Sequence, residues 1–393
     1  MSATGKRNLI PIAKPWMGEA EALAAERVIL SGWVTQGPEV EAFEKEFAQS
    51  VGAPHACAVS SCTAGLHLAL LAVDVKTGDE VITASHSFIA TANSIRYVSA
   101  TPVFVDIQPG TFNLEPTLVE KAVTRRTRAI LCVHQMGMPC DLRALLDIAR
   151  RHHLPVIEDA ACAIGSEISW NHRWEKIGKP HGDIACFSLH PRKVITTGDG
   201  GMITTANSEW DQKFRLLRHH GMGISDSTRH TAGEVIFESY ETLGYNYRMT
   251  DIQAAVGREQ LKRLPAILEK RRALAIQYRE KLGRIPGLRL PEEPSWARSN
   301  WQSYCVRLPE GVDQREVMQR MLDQGVATRR GIMCSHQEAA YADKKSWVSV
   351  GELKESERAE EEAVLLPLYP EMSRAEQDRV VEVLAGALEP VKR

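Results

Sequence analysis

Lys193 stands in Phe187-Ser188-Leu189-His190-Pro191-Arg192-Lys193, shortly before the Gly-Asp-Gly-Gly turn that ends at Gly201. The apolar run at 184–189 reads as a short strand before it, and 202–205 as another after it. A lysine confined between them is unfavourable unless it has a chemical role, because a buried ammonium must be paired or neutralised. Schiff-base chemistry offers such a role, in which the amine loses its proton and attacks a carbonyl. A lysine on a surface turn fits the same spacing.

Three other segments carry groups of use to such a lysine. Val156-Ile157-Glu158-Asp159 reads as a short apolar strand ending in carboxylates. Ligands of open α/β sheets collect at the carboxyl ends of strands, which places Asp159 near one; capping a following helix is the competing role. Ser61-Cys62-Thr63 precedes an apolar helical segment at 65–73. The exposed N–H groups and positive dipole end of such a helix suit a phosphate, although Ser and Thr there also serve as plain caps. Tyr245-Asn246-Tyr247-Arg248 opens a further helical stretch, with Asn246 close to Gly244, where a turn asparagine is also common. Among the histidines, His190 is a pocket candidate by its nearness to Lys193. His134 ends a strand, and His152-His153 read as the exposed end of a helix.

The elements that must position these groups alternate. Apolar runs at 80–83, 101–105, 129–134, 154–158 and 184–189 are separated by helical stretches. In one of these, Asp141 can cap a helix whose Leu142, Leu145, Leu146 and Ala149 share a face. That is a βαβ unit, and it implies a mostly parallel sheet flanked by helices. Residues 251–282 read as a long helix with Pro265 as a kink or break. Beyond it the pattern turns to a smaller α+β unit: a strand at 303–308, a helix at 315–324, an extended 365–370 and a final helix at 374–388.

Composition sets outer limits. A length of 393 residues suits two domains, here 1–265 and 266–393. Forty-eight Lys and Arg against 50 Asp and Glu give no support to nucleic-acid or anionic-membrane binding. No apolar run approaches the ~20 residues of a membrane helix. The segment Met1–Arg7 lacks the apolar core of a secretion signal, so a cytoplasmic protein is expected. Eight cysteines without a CxxC pair read as buried free thiols rather than disulfides or zinc ligands.

The four motifs, in this order, resemble the DegT/DnrJ/EryC1/StrS aminotransferases from about Ile10 to near Val383. The resemblance implies the aspartate-aminotransferase-like fold (fold type I) and pyridoxal 5'-phosphate (PLP) as cofactor. Lys193 would hold PLP as a Schiff base and Asp159 would keep its ring nitrogen protonated. Ser188 and the Ser61-Cys62-Thr63 turn would take the phosphate, although the family usually has Gly where Cys62 stands. Phe88 would stack on the ring. Cys162 occupies a position where relatives often carry Gln or His. Asn246 would reach across a homodimer interface to the neighbour's cofactor. Glutamate or glutamine is the implied donor, and a keto-sugar, often nucleotide-linked, or a cyclitol ketone the acceptor. Trp33, Thr35, Arg329, Arg330 and His336 are pocket candidates. The sequence departs from many sugar-nucleotide enzymes at Asn300-Trp301-Gln302-Ser303-Tyr304, where they carry a histidine. Two alternatives are a sugar dehydratase of the same fold, whose relatives replace the lysine with histidine, and a non-catalytic regulatory protein that keeps the PLP site. A nicotinamide dehydrogenase lacks support, because no strand-Gly-x-Gly-x-x-Gly-helix unit is present.

Overall fold

The computed structural model describes residues 9–223, 233, 235 and 237–389. The first eight residues, including those read for a secretion signal, lie outside it. Through residue 217 the chain forms α1 (Glu19–Ser31), α2 (Pro38–Val51), β1 (His55–Val59), α3 (Cys62–Ala72), β2 (Glu80–Ala84), α4 (Ala90–Tyr97) and β3 (Thr101–Val105). It continues through α5 (Pro116–Ala122), β4 (Thr127–Val133), α6 (Leu142–His152), β5 (Val156–Asp159), β6 (Glu167–Trp170) and β7 (Arg173–Lys176). Then come β8 (Ile184–Ser188), β9 (Gly201–Thr205) and α7 (Ser208–Leu217).

The main sheet has the order β1-β9-β8-β5-β4-β2-β3-β13, its last member being Val348–Ser349. From β8 to β13 every pair is parallel, whereas β9 runs antiparallel between β1 and β8. Parallel neighbours need helical crossovers, which bury both sheet faces. The alternating side chains of β4, β5 and β8 accordingly divide between two cores. Ile130, Cys132, Val156 and Ala185 pack on one face; Ala129, Leu131, Ile157, Ile184 and Cys186 pack on the other. The expected βαβ unit is present: Asp141 accepts a hydrogen bond from the Ala144 N–H (3.1 Å), and Leu142, Leu145, Leu146 and Ala149 are buried.

A separate three-stranded antiparallel sheet, β11 (Tyr304–Arg307), β14 (Ala363–Leu366) and β12 (Arg329–Arg330), follows in the C-terminal part. Helices Gln314–Asp323 and Arg374–Leu388 cover it, around a core of Tyr304, Val306, Leu366 and Leu384. The helix Asp251–Leu282 joins the two parts. It is started by a Thr250–Gln253 capping box and continues through Pro265 instead of breaking there. Its Ala254, Leu264 and Ile267 belong to the core of the large sheet; Leu274, Tyr278 and Leu282 belong to that of the small one.

Candidate active site

A cavity of about 320 Å³ opens where the carboxyl ends of β1, β4, β5 and β8 meet the small sheet. Each end delivers one piece of it. Asp159, the last residue of β5, faces it while only 5% exposed. Thr91 Oγ1 donates to its Oδ2 (2.7 Å) and the Ala161 N–H to its Oδ1 (3.1 Å). Burial pushes this carboxyl's pKa up, and those donors together with the Lys193 charge only partly offset the rise. The site therefore contains a carboxylate whose charge calls for a cationic neighbour.

Lys193 follows β8 in a loop held by the backbone. The Leu189 N–H donates to Gly200 (2.9 Å), the Thr197 N–H to Leu189 (3.0 Å) and the Lys193 N–H to His190 (2.8 Å). Its Nζ donates to Cys162 Sγ at 3.1 Å. Burial lowers the affinity of Nζ for its proton, but Cys162, Asp159 and Cys62 outweigh burial and the net direction is up. The amine must lose a proton before it attacks a carbonyl.

The phosphate-sized corner is built at the start of α3. Ser61 Oγ accepts from the Ala64 N–H (3.1 Å), which leaves the first N–H groups of the helix facing the cavity beside Thr63 and Ser188. Gly201 makes that turn possible: a Cβ there would lie 2.5 Å from the Ser61 carbonyl carbon and 2.6 Å from the Cys62 nitrogen. The Cys62 side chain turns away into the sheet, 3.4 Å from the Cys186 carbonyl oxygen and 4.0 Å from Asp159 Oδ1. Only its backbone is free to serve an anion.

Phe88 forms part of the wall and is 55% exposed, so it is not a core residue of this chain. His134 lines the cavity with both ring nitrogens engaged. Nε2 meets Glu158 at 2.9 Å, and Nδ1 accepts the Cys140 N–H at 3.0 Å. That pattern fixes the Nε2–H tautomer and makes the ring a brace for the ends of β4 and β5. His190 also lines it. Burial and the charges of Arg192 and Lys193 lower its pKa, and its Nδ1 accepts the Arg192 N–H (3.2 Å), so it is neutral. Arg329 reaches the cavity from β12, whereas Arg330 pairs with Glu338 (2.9 Å) and Glu360 (3.1 Å).

Other candidates stand apart from the cavity lining of this chain. Trp33 donates from Nε1 to Gln36, and the Thr35 carbonyl accepts from Asp251. Asn246 is exposed and bridges to His219, next to Tyr247, whose carbonyl accepts the Ser60 N–H (2.8 Å). His336 lies between Ser85 Oγ (2.6 Å) and Glu357 Oε1 (3.1 Å). Three residues that sequence reasoning did not single out do belong to the site: Thr91 on Asp159, Arg192 on the wall, and Gln302, which lines the cavity and donates to the Arg192 carbonyl (2.8 Å). A signal existed for Thr91, which lies in α4 three residues after Phe88. For Gln302 the signal was its place in the 300–304 segment, where the sequence departs from relatives that carry a histidine; it lies just before β11.

Lysine amine, buried carboxylate and helix start converge on one cavity with the chemistry that a pyridine aldehyde phosphate requires, so the residues present fit PLP. The fold and this donor set define a PLP-dependent transferase of fold type I. The chain belongs to the DegT/DnrJ/EryC1/StrS aminotransferase family, whose model matches residues 15–385, and it is a PLP-dependent aminotransferase. It is similar to the solved aminotransferase TlmJ from Streptoalloteichus hindustanus (32% identity, TM-score 0.88, 97% of this chain and 99% of that one). It is also similar to DesV of S. venezuelae (32%, TM-score 0.86, 98% and 100%). A third likeness is to a provisionally assigned sugar aminotransferase from Streptococcus pneumoniae, solved in a PLP form (27%, TM-score 0.87, 97% and 98%).

Proposed function

We propose that this aminotransferase carries nitrogen from glutamate or glutamine to the ketone of a sugar, often nucleotide-linked, or of a cyclitol, in sugar or secondary-metabolite biosynthesis. The observation that carries the chemistry is the convergence of Lys193, Asp159 and the α3 start on one cavity. The acceptor class rests on the family and on the sugar aminotransferase likeness from Streptococcus pneumoniae.

PLP supplies the carbonyl that takes up the amino group and the ring that takes up the electron pair. Lys193 Nζ holds the cofactor and then moves a proton, taking it from the donor's α-carbon as general base and returning it as general acid. Asp159 would face the ring nitrogen and favour its protonated form. The Cys62 and Thr63 N–H groups with the Ser188 hydroxyl bind the phosphate. Phe88 covers the ring, and Cys162 stands beside the lysine. His190, Arg329, Trp33, Thr35 and His336 remain candidates for substrate contact, with His190 and Arg329 on the cavity wall. Asn246 is exposed, as a residue serving a second subunit must be, and we read the working enzyme as a homodimer with shared sites. All eight cysteines are free thiols, which supports a cytoplasmic protein. Among the described residues no helix is long and apolar enough to cross a membrane.

Lys193, standing where dehydratases of this fold carry histidine, argues against that alternative. Purified protein loaded with PLP should change its visible spectrum on addition of glutamate or glutamine. A panel of keto-sugars and cyclitol ketones should then recover the original spectrum and yield an amine by mass spectrometry. Loaded protein inert to every amino donor would support the regulatory reading and overturn ours.

A further inference from the structure

We propose that Cys162 is a positioning residue for Lys193: its sulfur holds the amine and receives the proton that the amine must shed before it attacks a carbonyl. The inference rests on the reading of Lys193 as the cofactor-binding lysine.

Three observations carry it. The Sγ–Nζ separation is 3.1 Å, a hydrogen bond by the wider radius of sulfur. Cys162 is the one cysteine of eight that is not buried, and it lines the cavity, so its thiol faces the same space as the amine. Its backbone is pinned. Buried Asn300 Nδ2 donates to the carbonyls of Cys162 (2.7 Å) and Ile164 (2.8 Å). Gly137, at φ 94°, allows Asn300 to come this close, since a Cβ there would lie 1.9 Å from Asn300 Oδ1 and 3.2 Å from the Cys162 carbonyl oxygen. The backbone from which the sulfur reaches the amine is therefore fixed.

A thiolate beside an ammonium and a thiol beside a neutral amine differ by one proton moved across the contact. One N–H bond breaks, one S–H bond forms, and the net charge is unchanged. The amine thus becomes nucleophilic without sending a proton to bulk water. The charges of Asp159 and Cys62 also act on Nζ, and the charge of Lys193 reaches His190. As a thiolate Cys162 favours the ammonium, as Asp159 does; once the sulfur has taken the proton, its share of that pull is gone.

The test uses the full-length protein freed of cofactor. Iodoacetamide alkylation of Cys162, located by peptide mass spectrometry, is followed from pH 5.5 to 9.5 in the parent, Lys193→Met and Lys193→Arg. Loss of the cation should move the pH–rate midpoint up by about one unit and lower the rate at pH 7 about tenfold, with Arg restoring much of it. Superimposable profiles for the parent and Lys193→Met would overturn the proposal. A second arm measures the rate at which pyridoxal phosphate is captured at Lys193, fixed by borohydride. Cys162→Ala should slow capture about tenfold and shift its pH profile upward, and Cys162→Ser, which keeps a hydrogen-bonding group but cannot take the proton, should leave the profile shifted. Unchanged capture in Cys162→Ala would also overturn it. If Cys162→Ala fails to fold, the alkylation arm still decides. If borohydride never fixes the cofactor to Lys193 in the parent, the cofactor reading fails, while the alkylation result still judges the pair.

Discussion

At the residue scale, the two groups that face each other across the cavity answer differently to substitution. Lys193→Ala removes both the covalent anchor and the proton carrier. We expect turnover to fall at least about 10³-fold with an unchanged circular dichroism spectrum, and borohydride no longer to fix PLP to the chain. Asp159→Asn keeps the shape and the Thr91 hydrogen bond but leaves the cofactor ring without its anionic partner. Breaking a buried pair of this kind costs about 3–5 kcal/mol, so a loss of about 10²–10³-fold in kcat is expected, with a smaller change in cofactor affinity. Lys193 and Asp159 stood out in the sequence because the chemistry tolerates few residue types and each lies at or just past a strand end, whereas Ser188 was named only through the family resemblance. Thr91 did not stand out, and for Asn300 and Gln302 only their segment did, because a hydroxyl or amide gains its role only when the fold carries it 68, 138 or 110 residues along the chain to its partner. His336 shows the converse: its residue type suggested chemistry, yet its two nitrogens are taken by Ser85 and Glu357.

At the scale of elements, the phosphate corner depends on close backbone approach. Gly201→Ala would place a Cβ within 2.7 Å of three Ser61 and Cys62 backbone atoms, which cannot rotate aside. A destabilisation of about 1–3 kcal/mol follows, and cofactor affinity should fall with it. Thermal melts with and without PLP would show both; an unshifted melting temperature would contradict this packing. Behind that corner, Glu44 of α2 accepts from the Ala58 N–H of β1 (2.9 Å), from Arg218 (2.5 Å) and from Arg215 (2.7 Å). Burial raises this carboxyl's pKa, but the two guanidiniums and the N–H bring it below the ordinary 4.5. Its folded pKa being the lower one, its contribution is complete above about pH 4.5 and fades as acid takes the pH down through the folded value. Denaturant titrations should show Glu44→Gln flattening the loss of stability below pH 4.5 while lowering stability at pH 7 by about 3–5 kcal/mol. Some strand and helix bounds were readable to the residue, as 101–105, 251–282 and 374–388 match, whereas the extended reading of 365–370 meets a strand at Ala363–Leu366. Sheet order was not. Nothing in the alternation of Met202 to Thr205 tells that β9 enters antiparallel between β1 and β8, because strand direction is set by the connection and not by the strand's own pattern.

At the scale of the whole molecule, Phe88 and Asn246 are exposed in the single chain although the family resemblance gives both to the cofactor, which is the expected arrangement when a second subunit closes the site. Light scattering should give twice the chain mass. Dimers mixed from Lys193→Ala and Asn246→Ala chains should regain activity. In such a hybrid one site carries both lesions and the other carries neither. If Asn246 served its own subunit, each hybrid site would keep one lesion and mixing would restore nothing.

The helix Asp251–Leu282 is one rod of 32 residues, driven through both cores. At its first turn, Asp251 also clamps the N–H groups of Gly37, Glu39 and Val40. A door hung on such an axle swings only as far as the axle flexes. Opening of the cleft should therefore be a matter of degrees, with substrates entering past the loops at its lip and the two lobes never parting.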